Sequence, residues 1–174
     1  ETVGELAGIL PYLAAKPDEY LAAFQKRDPK SSVDGDSWYL LRKGRLNEAE
    51  ARTDKFIENR PDSPDGWAEK ALVLALKSDF SGSEAVIPVL ISKLKPVDHS
   101  FHHFTYDIAC VYAMMGKSEE SVHWLQTTAA SGFPNYPLFE RDPYLDRVRQ
   151  TPEFTKFMSE QKAQWERFQQ EFGS

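Results

Sequence analysis

Residues 101–125, FHHFTYDIACVYAMMGKSEESVHWL, hold the densest run of reactive side chains: His102 and His103, Asp107, the only cysteine, Cys110, and a Gly116-Lys117-Ser118 triplet. On a helix His103, Asp107 and Cys110 fall at i, i+4 and i+7 and share one stripe, with His99 and His102 nearby. These residue types suit zinc or a softer metal. The ligand spacings that hold such metals are missing, since the chain has no His-Glu-x-x-His, no Cys-x-x-Cys and no second cysteine. No metal is therefore expected, and a metal- or small-ligand sensor centred on His103, Asp107 and Cys110 ranks second among the functions.

Phosphate and acyl-transfer chemistry fit no better. A phosphate loop ending at Gly116-Lys117-Ser118 needs a glycine where Val111 stands, and a strand before it where a helix is expected. The triplet reads more simply as a helix stop, with Ser118 capping the next helix and Glu119 and Glu120 at its positive end. Cys110 has His103 two turns away, too far along one helix for direct activation as a nucleophile. There is no Gly-x-Ser-x-Gly elbow. Glu119–Glu120 and Asp62–Asp65 read as helix-start charges. The expectation is a non-catalytic chain without a cofactor.

Whatever these side chains do, they must be positioned by a single domain. The chain has 174 residues, 41% of them hydrophobic and 13% aromatic, which is ample for one core. A net charge of −6 argues against nucleic acid, whose affinity comes from Lys and Arg neutralising phosphates. The longest apolar stretch, ALVLAL at 71–76, is far too short to span a bilayer. One cysteine cannot form an internal disulfide, which leaves the redox compartment open; a cytoplasmic location is the working expectation. The first residue is Glu1, and the reading preferred is a piece of a larger protein.

Strand signals are nearly absent and helical spacing recurs. Leu6, Ile9, Leu10 and Leu13 keep it near Pro11, and Pro17 opens a second N-terminal helix that stops at residues 27–29. Helices are then expected in DSWYLLRK, in LNEAEARTDKFIENRP after Gly44, in DGWAEKALVLALKS, in SEAVIPVLISKLKP, and on either side of Gly116. Pro61 and Pro96 close helix pairs 35 residues apart, and Gly44 and Gly116 break pairs 72 residues apart. A period of about 34 residues built of helix, turn and helix marks a tetratricopeptide array.

Several residues resemble that family's pattern between about residues 30 and 131. Trp67 and Ala71 match the aromatic and small positions of a first helix, as do Ala109 and Tyr112 with the turn at Gly116. Gly44, Ala49 and Pro61 match a turn, a small residue of a second helix and a closing proline. The middle unit departs from the pattern, with an insertion expected around DFSGS and Pro88 early in its second helix. The resemblance implies an all-α right-handed superhelix of about three helix pairs, preceded by N-terminal helices in 1–29.

The tail, 132–174, is expected to form a turn-rich connector, a short helix capped by Asp142 with Pro143 first, and a long closing helix capped by Thr151 with Pro152 first. Gly132, Phe133, Asp142, Pro143, Leu145, Asp146, Arg149, Pro152 and Phe154 resemble a phrase that follows the last repeat in tetratricopeptide regions of bacterial serine/threonine kinases, nucleotide cyclases and winged-helix regulators. That likeness implies a regulatory or scaffolding part of such a signalling protein. In the last helix Phe154, Met158, Gln161, Trp165, Phe168 and Phe172 follow a heptad seam. Its first reading is a cap on the last repeat; the second is a dimer or docking face at Met158, Trp165, Phe168 and Phe172.

The same resemblance implies a concave face lined by the first helix of each pair. By register it presents Trp38, Arg42, Asp65, Glu69, Leu72, Leu76, His103, Tyr106, Cys110 and Met114, a mixture suited to a peptide or partner domain. Asp65 and Glu69 have the wrong sign for the clamp that holds a C-terminal carboxylate. A ligand with basic residues, or an intramolecular partner, fits better.

Overall fold

The computed structural model describes residues 37–98 and 100–172, with the side chains of Ser37, Trp38 and Phe172 outside the description. The N-terminal helices expected in 1–29 lie outside the described residues. The described chain is all-helical, with no strand among its residues: α1 Ser37–Arg42, α2 Leu46–Asn59, α3 Pro64–Leu76, α4 Phe80–Lys93, α5 Phe101–Met114, α6 Ser118–Ala130, α7 Tyr136–Arg141, a single 3-10 turn Pro143–Leu145, and α8 Pro152–Phe172. No helix among the described residues is long and apolar enough to cross a membrane.

The helices pack as hairpins, α1 on α2, α3 on α4 and α5 on α6, and α3 also meets α1 and α5. Each hairpin turns in the same way. The backbone N–H of Arg45, Asp79 and Lys117 donates to the carbonyl five residues back, at 2.9, 2.9 and 3.0 Å, which satisfies carbonyls the ending helix leaves open. That turn needs one residue in the left-handed region, and Gly44 (φ 68°) and Gly116 (φ 77°) supply it in the outer hairpins. In the middle hairpin the residue is Ser78 (φ 64°), 34 residues after Gly44 and 38 before Gly116. The glycine that marks the outer turns is absent here, since a serine occupies its position.

The middle unit corrects two further expectations. Residues 80–83 belong to α4, whose cap Asp79 accepts a hydrogen bond from the Gly82 N–H at 2.9 Å. The extra length falls instead in the connector between α4 and α5, residues 94–100. Pro88 lies well inside α4, on its exposed side.

Small side chains set the spacing of the layers. Ala49, Ala68, Ala71, Ala75, Ala109 and Ala113 are all buried, as a close helix approach demands. Gly66 does the same between α2 and α3, since a Cβ there would lie 2.7 Å from Ile57 Cγ1. Buried hydroxyls tie partners together. Ser83 Oγ donates to the Ala71 carbonyl at 2.6 Å, and Thr105 and Thr128 pair at 2.9 Å.

The tail is more ordered than a connector. Its α7 lies where only turns are expected, and the 3-10 turn forms as the Asp-Pro signal predicts, the Asp142 carboxylate accepting from the Tyr144 N–H at 2.9 Å. Helix α8 packs against α6 and α7. Its buried anchors are Phe154, which begins the heptad seam, and Phe157, which lies beside it, while Met158, Gln161 and Trp165 of the seam are half-buried. Ser118 does not cap α6. It is the helix's first residue, and its hydroxyl meets Thr151 Oγ1 at 2.6 Å.

Candidate functional site

Helices α1, α3 and α5 together line one face of the stack, and the expected groove residues divide there into two groups. The first is withdrawn from solvent. Cys110 and Tyr106 are buried, Met114 is half-buried, and the Arg42 side chain keeps only 7% of its surface exposed. They are covered by the chain's own tail. Phe139 of α7 stacks on Tyr106 with ring centroids 5.6 Å apart, and Arg147 donates to the Met114 carbonyl at 2.8 Å. The groove expected at Tyr106, Cys110 and Met114 is thus filled in cis. Helical register tells which face a residue occupies, but not what covers that face.

Asp142 sits at the centre of this covered half, with its side chain fully buried. Arg42 donates to both of its carboxylate oxygens, at 2.6 and 2.5 Å, and the Tyr106 hydroxyl donates to Oδ2 at 2.7 Å. The Arg42 guanidinium also lies 3.8 Å from the centroid of the Tyr144 ring. Burial works against the Arg42 charge, but the hydrogen bonds and charge of Asp142 outweigh it and hold the guanidinium firmly protonated. Arg149 braces the same segment by donating to the Asp142 carbonyl at 2.8 Å. Several residues of the tail's phrase therefore hold the fold: Asp142 pairs and caps, Leu145 and Phe154 fill the core, and Arg149 ties the backbone.

The second group stays open. A pocket of about 160 Å³ lies between α1, α3 and α5, with Leu41, Ala68, Leu72 and Phe104 forming apolar walls. Asp65, Glu69, His103 and Asp107 supply the polar lining. Asp65 and Glu69 are one turn apart on α3, and Asp107 faces them from α5. Asp65 is exposed and accepts from the Ser63 hydroxyl, whereas Glu69 is half-buried and accepts from Thr53 Oγ1 at 3.1 Å. Burial pushes the Asp107 carboxyl up to about 8; the Arg42 charge opposes this, and Glu69, Asp142 and Asp65 add to it. No hydrogen-bond donor among the described residues meets Asp107.

Of the expected groove residues, then, the pocket gathers Asp65, Glu69, Leu72 and His103. It also takes in Asp107, which shares the helical stripe of His103. Leu76 is half-buried beyond it, and the Trp38 side chain lies outside the described residues.

The stripe His103, Asp107 and Cys110 does not converge on one point. Cys110 is sealed in the core, and burial raises its thiol well above the usual range. His103 stands at the rim, 5.8 Å from the Phe133 ring. Among the described residues no three His, Cys, Asp or Glu side chains are placed to hold a metal ion. Lys117 of the phosphate-like triplet pairs at 2.5 Å with Glu84 of α4, in the neighbouring hairpin.

On α8, Trp165 is half-buried against Tyr136 at 5.8 Å, and Phe168 is 46% exposed. The Phe172 side chain lies outside the described residues.

No protein-family model, no curated protein and no solved structure matches the chain.

Proposed function

We propose that the chain is a non-catalytic protein-interaction module. In this reading it is a tetratricopeptide-like right-handed stack of three helix pairs, and it serves as a regulatory part of a larger bacterial signalling protein. The partner, a peptide or a domain, lies along the face lined by α1, α3 and α5. The observation that carries the reading is the open pocket on that face, whose apolar walls are rimmed by Asp65, Glu69 and His103. Apolar anchoring with a few oriented polar groups is how such surfaces bind.

The repeat reading draws support from three hairpins that share one turn geometry, with alanines at the close approaches. Peptide selection from a phage-displayed library on the intact chain tests the function. Selected peptides should lose at least tenfold in affinity on Asp65→Arg, because Asp65 is exposed and its replacement spares the core. Tyr106→Ala is not informative here, since Tyr106 belongs to the core. Selection of no peptide, or of peptides indifferent to Asp65→Arg, contradicts the proposal.

A further inference from the structure

Helix α2 sorts its charges by side. Glu50 and Asp54 turn towards α3 and pair with Lys70 and Lys77. Arg52, Lys55, Phe56, Asn59 and Arg60 follow at i, i+3, i+4, i+7 and i+8 and line one depression on another side of the helix. Arg52, Lys55 and Arg60 are exposed, and the Arg60 guanidinium lies 5.6 Å from the centroid of the half-buried Phe56 ring. Glu48, one turn before Arg52, is held by Arg45 through two hydrogen bonds. The result is a positive stripe on a chain whose net charge is −6.

Negative charge gathers elsewhere. A groove of about 350 Å³ runs between α6 and α8, floored by the buried Val122 and Phe157. Glu119 of α6 and Glu153 and Glu160 of α8 line it and are exposed, Glu153 accepting from the Ser118 hydroxyl at 3.1 Å. Lys156 and His123 also line it, which leaves three carboxylates against one ammonium when the histidine is neutral.

Stripe and groove complement each other in sign and in shape, a single exposed helix against a hollow between two. They do not meet within one copy. The stripe belongs to the first hairpin, the groove to the third hairpin and the tail, and α3 and α5 pack between them.

We propose that the chain associates head to tail with a second copy of itself, the α2 stripe of one copy seating in the α6–α8 groove of the next. The contact joins two different surfaces, so it leaves a stripe open at one end and a groove at the other and can add further copies. Exposed ion pairs are individually weak and are screened by salt, so the association is reversible and confined to low ionic strength. Neither surface includes a residue of the pocket between α1, α3 and α5, and this inference stands or falls apart from the interaction reading above.

Sedimentation equilibrium of the full chain tests it. In about 0.01 M salt the average mass should rise with concentration up to about 1 mM chain, and in about 1 M salt it should stay that of one copy. Arg52→Glu with Arg60→Glu reverses the stripe, and Glu119→Lys with Glu160→Lys reverses the groove. All four side chains are exposed, so circular dichroism should show the fold unchanged. Each double variant alone should weaken the association at least about tenfold, because like charges then face each other. An equimolar mixture of the two should recover it, since each variant again meets its opposite.

A single-copy mass at every concentration in low salt overturns the proposal, as does a mixture that associates no better than its components. Association that persists in about 1 M salt and is lost on Phe168→Ser would place the contact on the apolar side of α8, and overturns it too.

Discussion

Arg42 and Asp142 are 100 residues apart in sequence and meet in a two-pronged ion pair at 2.6 and 2.5 Å. The pair joins the first described helix to the tail across α5, and Tyr106 of α5 completes it through its hydroxyl. A buried carboxylate with three side-chain donors is costly to leave partly satisfied.

Removing either partner should therefore destabilise the fold strongly. Arg42→Leu and Asp142→Asn should each cost about 3–5 kcal/mol in urea unfolding. The double variant should lose less than the sum of the two, because the second change no longer strands a charge. Additive losses would mean that the pair is not coupled.

Asp107 predicts a pH dependence of the opposite sign to an ordinary surface carboxylate. Its carboxyl is raised from 3.8 to about 8 in the fold, so between those values the native chain holds a proton that the unfolded chain has released. Its contribution is fully present below about pH 4 and is lost as pH rises towards 8. Asp107→Asn should be more stable than the parent above pH 8, by roughly 2–5 kcal/mol, and should show little change at pH 4. Thermal melts across that range decide it. A variant less stable at every pH would show that the ionised carboxylate is stabilising.

The hairpin turns predict a pair of opposite effects. Ser78 has φ 64°, so Ser78→Gly should raise stability by about 0.5–1 kcal/mol. Gly116→Ala places a side chain at φ 77° and should lower it by about 1–2 kcal/mol. Chemical denaturation of both variants checks the turn geometry.

Cys110 is buried beside Tyr106, and burial raises its thiol well above the usual range. It should react with an aromatic disulfide reagent only as fast as the chain unfolds. Rapid labelling in native buffer would place it at an accessible surface.

The helical class and most element boundaries were legible because proline and glycine mark them. Pro61, Gly116 and Pro152 stand where elements end or begin. Ala71 and Ala109 are buried, as the small-residue pattern requires. The break after Leu76 was legible, but its form was not: an insertion was expected around DFSGS, whereas Ser78 makes a tight turn in a conformation that serine rarely marks. The site was legible only in part. Spacing on α3 and α5 brought Asp65, Glu69, Leu72 and His103 to one face, and all four line the pocket. It could not show that Phe139 and Asp142 close over Tyr106 and Cys110, because a contact across 36 or 100 residues leaves no local period. Phe157 was missed for a related reason. It lies beside the seam that begins at Phe154, and both phenylalanines are buried on the side of α8 that packs on α6 and α7.

Shift mapping of a library-selected peptide on the labelled chain tests the proposed function most directly. Perturbed amides should cluster at Asp65, Glu69, Leu72, His103 and Asp107, with α6 and α8 undisturbed. Perturbations centred on α6 and α8, with the pocket residues unmoved, would contradict it.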